Sequence, residues 1–235
     1  MKKHTWFQLK EHPEIYYGQY LVPNFISNSV AIKSSENNWV LISPGENMLD
    51  NWHEEWKNTQ TKISIIFPNS FHYMGVKTWL EQFPGAKLYA SRKAKRRLER
   101  KGFCNILALE CEKPDLPVGY DILIPPGHRG GDVWVSKRNE DGNSLWITCD
   151  SFLNYDRVSR KPIARILQKI LGAAPGLKIS QFIKWLLLDE KKSFKHWVLK
   201  QLDKDRPTIL IPSHGEVEVD PLLTTRLKKL IEKRL

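Results

Sequence analysis

A chain of 235 residues with 41% hydrophobic and 27% charged residues can bury a full core, and its nine Trp exclude a disordered or low-complexity protein. The formal charge of +11 draws the chain toward polyanions or acidic membranes without naming a function. No run of about eighteen apolar residues occurs, and the opening MKKHTWFQLKEHPEIYYG has no apolar stretch after its lysines, so neither a membrane span nor an export signal is expected. Cys104, Cys111 and Cys149 are odd in number and lack the paired spacing of a zinc ribbon or redox motif, which points to reduced thiols and a cytoplasmic protein, with a disulfide between two of them as the open alternative.

In chain order, SNSVAIKS and NWVLISPG read as two strands of a hairpin around a polar turn at Glu36 to Asn38. NMLDNWHEEWKNT repeats Met48, Leu49, Trp52 and Trp56 at helical spacing. KISIIFP is a short apolar run suited to a buried strand, and GVKTWLEQFPG is a helix closed by Pro84 and Gly85. AKLYAS returns as a strand, and SRKAKRRLERK follows as a helix with a solvated basic face. NILALE and YDILIPPG are strand-like, and GGDVWVSKR with NSLWITCD forms a hairpin across NEDGN. From about 156 to 205 the pattern is mostly helical: KPIARILQKILG, a Gly/Ala/Pro break, KISQFIKWLLLDE and SFKHWVLKQLDK. PTILIPSHG is a last buried strand, and DPLLTTRLKKLIEKRL a terminal amphipathic helix. The plan is α/β in a single domain over 1–235, with a helical insertion before the last strand.

Four segments share one format, in which a strand ends and a tight turn carries a histidine or an aspartate: IIFPNSFHYMG, ILIPPGHRGGDVW, LWITCD and TILIPSHG. Rigid strands position side chains and loops expose them, so α/β proteins build sites at strand ends. Three imidazoles and a carboxylate, from His72, His128, His214 and Asp150, suit zinc, iron or manganese. A single histidine in a turn is more often a hydrogen-bonded structural residue, and it is the shared context that lifts these three above His4, His12, His53 and His196. Asp150 is the strongest candidate, because an acid closing the apolar strand LWITC needs a partner.

The order PGHRGG, hairpin, WITCDSF, helical stretch, ILIPSHGE is similar to the metallo-β-lactamase-fold hydrolases, with their GHxxG turn, GD strand end and late strand-borne histidine. The opening YLVPNFISNSVAIKSSENNWVLISPG resembles that superfamily as well, so the likeness spans roughly residues 15 to 216. It implies a four-layer αβ/βα sandwich with the site along one edge. The superfamily's HxHxDH motif keeps only its last member: with His72 in that place, Phe67 and Asn69 stand at the first two histidines and Phe71 at the aspartate. Ser43 stands where the family often has an aspartate. The PN-x-x-H turn and Trp-bearing helix resemble uncharacterised, divergent members of the fold.

By that resemblance His72, Asp150 and His214 match the second metal site, and His128 alone remains of the first site's histidines. The implied centre is at most mononuclear: one zinc, or iron or manganese, on His72, Asp150 and His214, with His128 as a fourth ligand. Asp150 and His72 would be the catalytic pair, and the ion would activate water toward an ester, amide or phosphoester. Asn69, Tyr73 and Arg129, on the same turns, are candidate substrate contacts. A second reading, of another class, is a non-catalytic member without metal that binds a small ligand or anionic partner through its basic surface. A third is nuclease-like RNA or DNA processing.

Two further features argue for less. PPGHRGGD lacks GxGxxG spacing between a strand and a helix, so a phosphate-cradling loop is not expected. IARILQKILGAAPGLKISQFIKWLLL is basic and amphipathic and could lie on a membrane surface, but a helical layer packed over the sandwich explains the same pattern more cheaply and is the expectation. Cys149 carries no sequence signal of a depressed pKa and is not read as a nucleophile. Under the nucleic-acid reading, binding to a duplex weakens as salt is raised and weakens again on charge reversal at Arg96 and Arg97; binding indifferent to both excludes it.

Overall fold

The computed structural model describes residues 4–22, 26–52, 60–158 and 162–235. They fall into two compact units, residues 1–118 and 119–235. In the first, seven strands form one sheet in sequence order: β1 (Phe7–Leu9), β2 (His12–Leu21), β3 (Ile26–Lys33), β4 (Asn38–Ile42), β5 (Lys62–Ile66), β6 (Lys87–Ala90) and β7 (Ile106–Ala108). The strands pair antiparallel as far as β4 and parallel from β4 to β7. Each later parallel pair needs a crossover, and α1 (Val76–Gln82) and α2 (Arg92–Glu99) supply them. The β3–β4 hairpin, β5, both helices and β6 lie where the periodicity predicts them. The strands β1 and β2 do not show in the pattern, because β2 mixes Tyr, Gly and Gln without a clean period of two.

The helix expected around Met48 to Trp56 begins as a 3₁₀ turn, Glu46–Met48, and its remainder from residue 53, with His53 and Trp56, lies outside the described residues. Trp6, Trp39, Trp52 and Trp79 form an edge-to-face cluster, with Trp52 to Trp79 and Trp39 to Trp52 each 5.1 Å between ring centroids. Trp79 is fully buried and its indole donates to the Gly45 carbonyl at 2.9 Å, tying α1 to the end of the hairpin. Ser91 caps α2 by accepting from the Ala94 amide, and Ala94 and Leu98 bury one stripe while Arg96 and Arg97 stay exposed.

The second unit contains a five-stranded sheet in the order β15-β13-β10-β9-β8 and a three-stranded sheet β12-β11-β14. Its strands are β8 (Tyr120–Leu123), β9 (Trp134–Arg138), β10 (Ser144–Ile147), β11 (Leu153–Tyr155), β12 (Gly176–Lys178), β13 (Pro207–Ile211), β14 (His214–Gly215) and β15 (Glu218–Val219). Its helices are α3 (Pro162–Ile170), α4 (Lys191–Asp205) and α5 (Leu223–Arg234). β10 and β13 are parallel neighbours. A parallel pair cannot be joined by a tight turn, so the largely helical stretch before β13 is the required crossover. That stretch also contains β12, paired with β11, and the KISQFIKWLLLDE segment forms a π-helical turn at Ile183–Leu187 rather than a regular α-helix.

Asp205, buried at the end of α4, binds this crossover to the sheet. It accepts from the Trp146 indole at 2.9 Å, from Ser136 Oγ at 3.2 Å and from Gln201 at 2.8 Å. Replacing it with Ala strands the buried indole and hydroxyl. Asp205→Ala is expected to cost at least about 3 kcal/mol, and Trp79→Ala about 3–5 kcal/mol, both read from urea unfolding midpoints.

Candidate metal centre

The parallel register of β10 and β13 places the strongest pair. Ile147 faces Ile211, and the pairing continues past the strands as the Thr148 amide donates to the Ile211 carbonyl at 2.9 Å. Ser213 Oγ returns a bond to the Thr148 carbonyl at 3.2 Å. Three residues beyond each paired isoleucine the chains deliver Asp150 and His214 side by side, with Nε2 of His214 3.1 Å from Asp150 Oδ1. β14 then fixes the imidazole: His214 pairs with Leu153, and Gly215, at φ 103°, lies so near Asn154 that any Cβ would collide with its carbonyl oxygen.

Behind this pair sits a buried group. One ligand atom each of Asp132, Cys149 and Asp150 lie within 4.8 Å of one another. Asp132 is fully buried and accepts from Ser151 Oγ at 2.7 Å and from the Trp134 indole at 3.4 Å, while its other oxygen lies 3.3 Å from Nδ1 of His128. His128 is 1% exposed, and among the described residues neither of its ring nitrogens has a hydrogen-bond partner; Nδ1 approaches Asp132 at 3.3 Å without bonding it. Two buried imidazole nitrogens without hydrogen bonds are costly. A carboxylate and an imidazole at the rim, with a second carboxylate and an unsatisfied imidazole behind, fit a borderline divalent cation.

Burial pushes the Cys149 thiol well above its ordinary range, and the charges of Asp150 and Asp132 push the same way. Cys149 is therefore a thiol at neutral pH, in line with the absence of a nucleophile signal in the sequence. Burial, with Asp150 adding to it, also pushes the Tyr155 phenol up, so Tyr155 stays protonated beside the pair. Tyr155 and Asp132 carry no signal in the sequence: the first ends a short strand, and the second follows the GHxxG turn as one more acid.

In the first unit, His72 is positioned by its own turn. After β5 the Phe67 amide donates to the Tyr89 carbonyl at 2.8 Å, Pro68 ends the strand, and Asn69 Oδ1 accepts from the amides of Phe71 at 2.8 Å and His72 at 3.3 Å. Asn69 is fully buried and shapes this turn. Ser43, just beyond β4 and at φ 51°, stands 2.9 Å from Nδ1 of His72 through its hydroxyl, and Tyr20 OH is 3.0 Å from the same Oγ. The parallel pairing of Ile42 with Ile66 brings Ser43 beside the turn, and Gly75 lets it close, since a Cβ there would strike the Pro44 carbonyl. Ser43 thus holds the ring of His72 through Nδ1. The Tyr20 contribution lies hidden in an irregular strand.

Among the other positions singled out by the sequence, Phe67 is fully buried with its ring 5.0 Å from that of Phe103. Phe71 lies under the Arg97 guanidinium at 4.3 Å, and Tyr73 packs on Phe103 at 6.1 Å with Lys101 above its ring. Arg129 is mostly exposed and donates to Asp189 at 2.7 Å. All three cysteines are free thiols, with Cys104 and Cys111 exposed and Cys149 buried.

Comparison with known proteins places this geometry in a fold. No protein-family model and no curated protein matches the chain. Solved structures do: the metallo-β-lactamase DIM-1 exposed to ceftazidime is similar over 99% of both chains at 14% identity, with a TM-score of 0.61. A metallo-β-lactamase from Hirschia baltica is similar over 96% of both chains at 16% identity and TM-score 0.57. A mutant flavo di-iron protein from Thermotoga maritima matches 97% of this chain and 60% of its own at 15% identity and TM-score 0.64. The chain therefore has the α/β fold of the metallo-β-lactamase superfamily, as its motif order implies. No helix among the described residues is long and apolar enough to cross a membrane.

With excess iodoacetamide at mildly alkaline pH, Cys104 and Cys111 are expected to be alkylated while Cys149 is spared until the protein is unfolded, which peptide mass spectrometry reads directly.

Proposed function

We propose that this chain is a metal-dependent hydrolase of the metallo-β-lactamase fold, with a site of at most one metal ion reduced from the superfamily's pattern. The observation that carries the reading is the Asp150–His214 pair, 3.1 Å apart at two strand ends in register and backed by Asp132 and an unsatisfied His128. Asp150 and His214 would hold the ion, His72 would complete the set as the sequence resemblance implies, and His128 is the further candidate ligand. Imidazole and carboxylate donors suit zinc first, with iron or manganese next. When bound, such an ion supplies a lowered water pKa and polarises a carbonyl or phosphoryl oxygen.

The protein's own residues supply the rest. Asp150 orients an attacking water and takes up its hydrogen bond. Tyr155, kept protonated, is a donor rather than a base. Ser43 and Tyr20 hold the ring of His72 in one orientation. Phe71 can neither accept nor give a proton, so leaving-group protonation falls to solvent or to the substrate. Tyr73 and Arg129 are proposed to face an ester, amide or phosphoester substrate, whereas Asn69, fully buried and bonded to its own turn, holds the turn instead. Three free thiols suit a reducing cytoplasm.

A specific observation favours a second reading. Phe67 and Phe71 do not merely lack donor atoms; each is held by packing, against Phe103 and under Arg97. A site rebuilt as aromatic core suits a non-catalytic protein that binds a small ligand or anionic partner.

Elemental analysis of protein incubated with zinc, iron or manganese and then desalted decides between them. About one ion per chain is expected, falling to background in Asp150→Ala and His214→Ala and reduced in His72→Ala, with circular dichroism unchanged. Hydrolysis of p-nitrophenyl acetate or bis(p-nitrophenyl) phosphate should follow the metal and vanish with chelator. Background metal in the parent protein overturns the enzyme reading, and bound metal without turnover of either substrate class favours the second. Tyr155→Phe is expected to lower turnover by about ten- to a hundredfold while metal content stays at the parent level.

A further inference from the structure

The segment 157–188 carries seven basic residues and no acidic one, and while Ile179, Ile183, Leu187 and Leu188 are buried, six of its large apolar side chains stay exposed. On α3, Ile163, Ile166 and Ile170 share one face at i, i+3 and i+7, and Ile163 and Ile170 are 75% and 70% exposed. The π-helical turn is anchored inward by Ile183 and Leu187, and turns Phe182, Trp185 and Leu186 outward, with Trp185 63% exposed. The two pieces are tied together, since the Gln181 amide donates to the Leu171 carbonyl at 2.7 Å. A helical layer packed over the sheets would bury these residues, and the structure leaves them at the surface.

Charge decides what kind of surface would cover them. On α3 the exposed Lys169 borders the isoleucine face on one side, with Arg165 beyond it, and Lys184 and Lys191 lie over the Trp185 ring at 5.5 and 3.8 Å. Acids appear only at the borders, Asp156 before the segment and Asp189 and Glu190 after it; Asp189 is already paired with Arg129. Exposed Ile, Leu, Phe and Trp set among cations, with no carboxylate between them, match an interface where apolar groups enter acyl chains and ammonium groups meet anionic headgroups. An apolar protein partner would not call for the excess of cations, and a second copy of this chain would bring the same positive charge against it.

We propose that α3 and the turn around Trp185 form a peripheral docking surface for anionic phospholipid bilayers. The surface lies on the membrane and does not span it, in keeping with the short lengths of α3 and the turn.

The test is sedimentation of the full chain with sucrose-loaded vesicles of phosphatidylcholine alone and of phosphatidylcholine mixed with phosphatidylserine. Binding is expected to the mixed vesicles, at least about tenfold stronger than to the neutral ones and weakened by salt. The triple variant Ile166→Ser, Ile170→Ser, Trp185→Ser, all at exposed positions, should lower it about tenfold or more, as should Lys169→Glu with Lys184→Glu. Unchanged thermal unfolding shows that the variants fold, and the proposed metal ligands are untouched in both. Three outcomes overturn the proposal: no binding to the mixed vesicles at low salt, binding indifferent to lipid charge, or binding that survives the apolar triple variant. Self-association in buffer that the triple variant abolishes, without vesicle binding, also overturns it and assigns the face to a second copy of the chain.

Discussion

The candidate centre in the second unit depends on one register. Because β10 and β13 run parallel with Ile147 opposite Ile211, any two residues equally far beyond that pair leave the sheet together. Asp150 and His214 do so, and a slip by one residue would turn one of them to the other face of the sheet. The crossover that the parallel pair requires is the long helical stretch, and buried Asp205 locks its end to Trp146 on β10 and Ser136 on β9. The stability of that anchor and the aim of Asp150 and His214 are therefore one problem.

The supports around the candidate ligands differ from one residue to the next. His72 has an oriented ring, held by Ser43 and in turn Tyr20, which is the arrangement a ligating imidazole needs. His128 has the opposite condition: a buried ring beside Asp132 with neither nitrogen hydrogen-bonded. Phe67, Asn69 and Phe71, by contrast, are absorbed into packing and turn formation. Cys149 offers no nucleophile beside them, because burial and two neighbouring carboxylates keep it protonated.

The basic charge of the chain has two distinct faces. On α2 the cations stand on an ordinary amphipathic helix whose apolar stripe, Ala94 and Leu98, is already buried. On α3 and the Trp185 turn the cations border apolar side chains that remain exposed. The same residue types thus carry different meanings, and the difference lies in where the apolar partners went. The His128 turn is strapped to the end of that second region, as the Arg129 amide donates to the Leu187 carbonyl at 2.7 Å and the Asp189 amide to the Gly127 carbonyl at 2.8 Å.

By itself the sequence determined the α/β plan, the strands β3 to β7, the hairpin of β9 and β10, and the strand-end setting of His72, His128, Asp150 and His214. Periodicity and turn chemistry are local, and those elements are long or sharply punctuated. It did not determine β1 and β2, where aromatic residues blur the alternation, or β11, β12, β14 and β15, which are too short to show a period. The contacts that give the candidate centre its character were also out of reach: Ser43 on His72, Asp132 against His128 and Cys149, Tyr155 near Asp150. Each joins positions far apart in the chain or buries a polar side chain whose partner no local pattern names. The amphipathic stretch from 163 to 188 reads identically whether its apolar residues are covered or bare. Only the tertiary structure decided that Ile179, Ile183, Leu187 and Leu188 are covered while Ile163, Ile166, Ile170 and Trp185 are bare, because burial is a property of what else the chain folds against it.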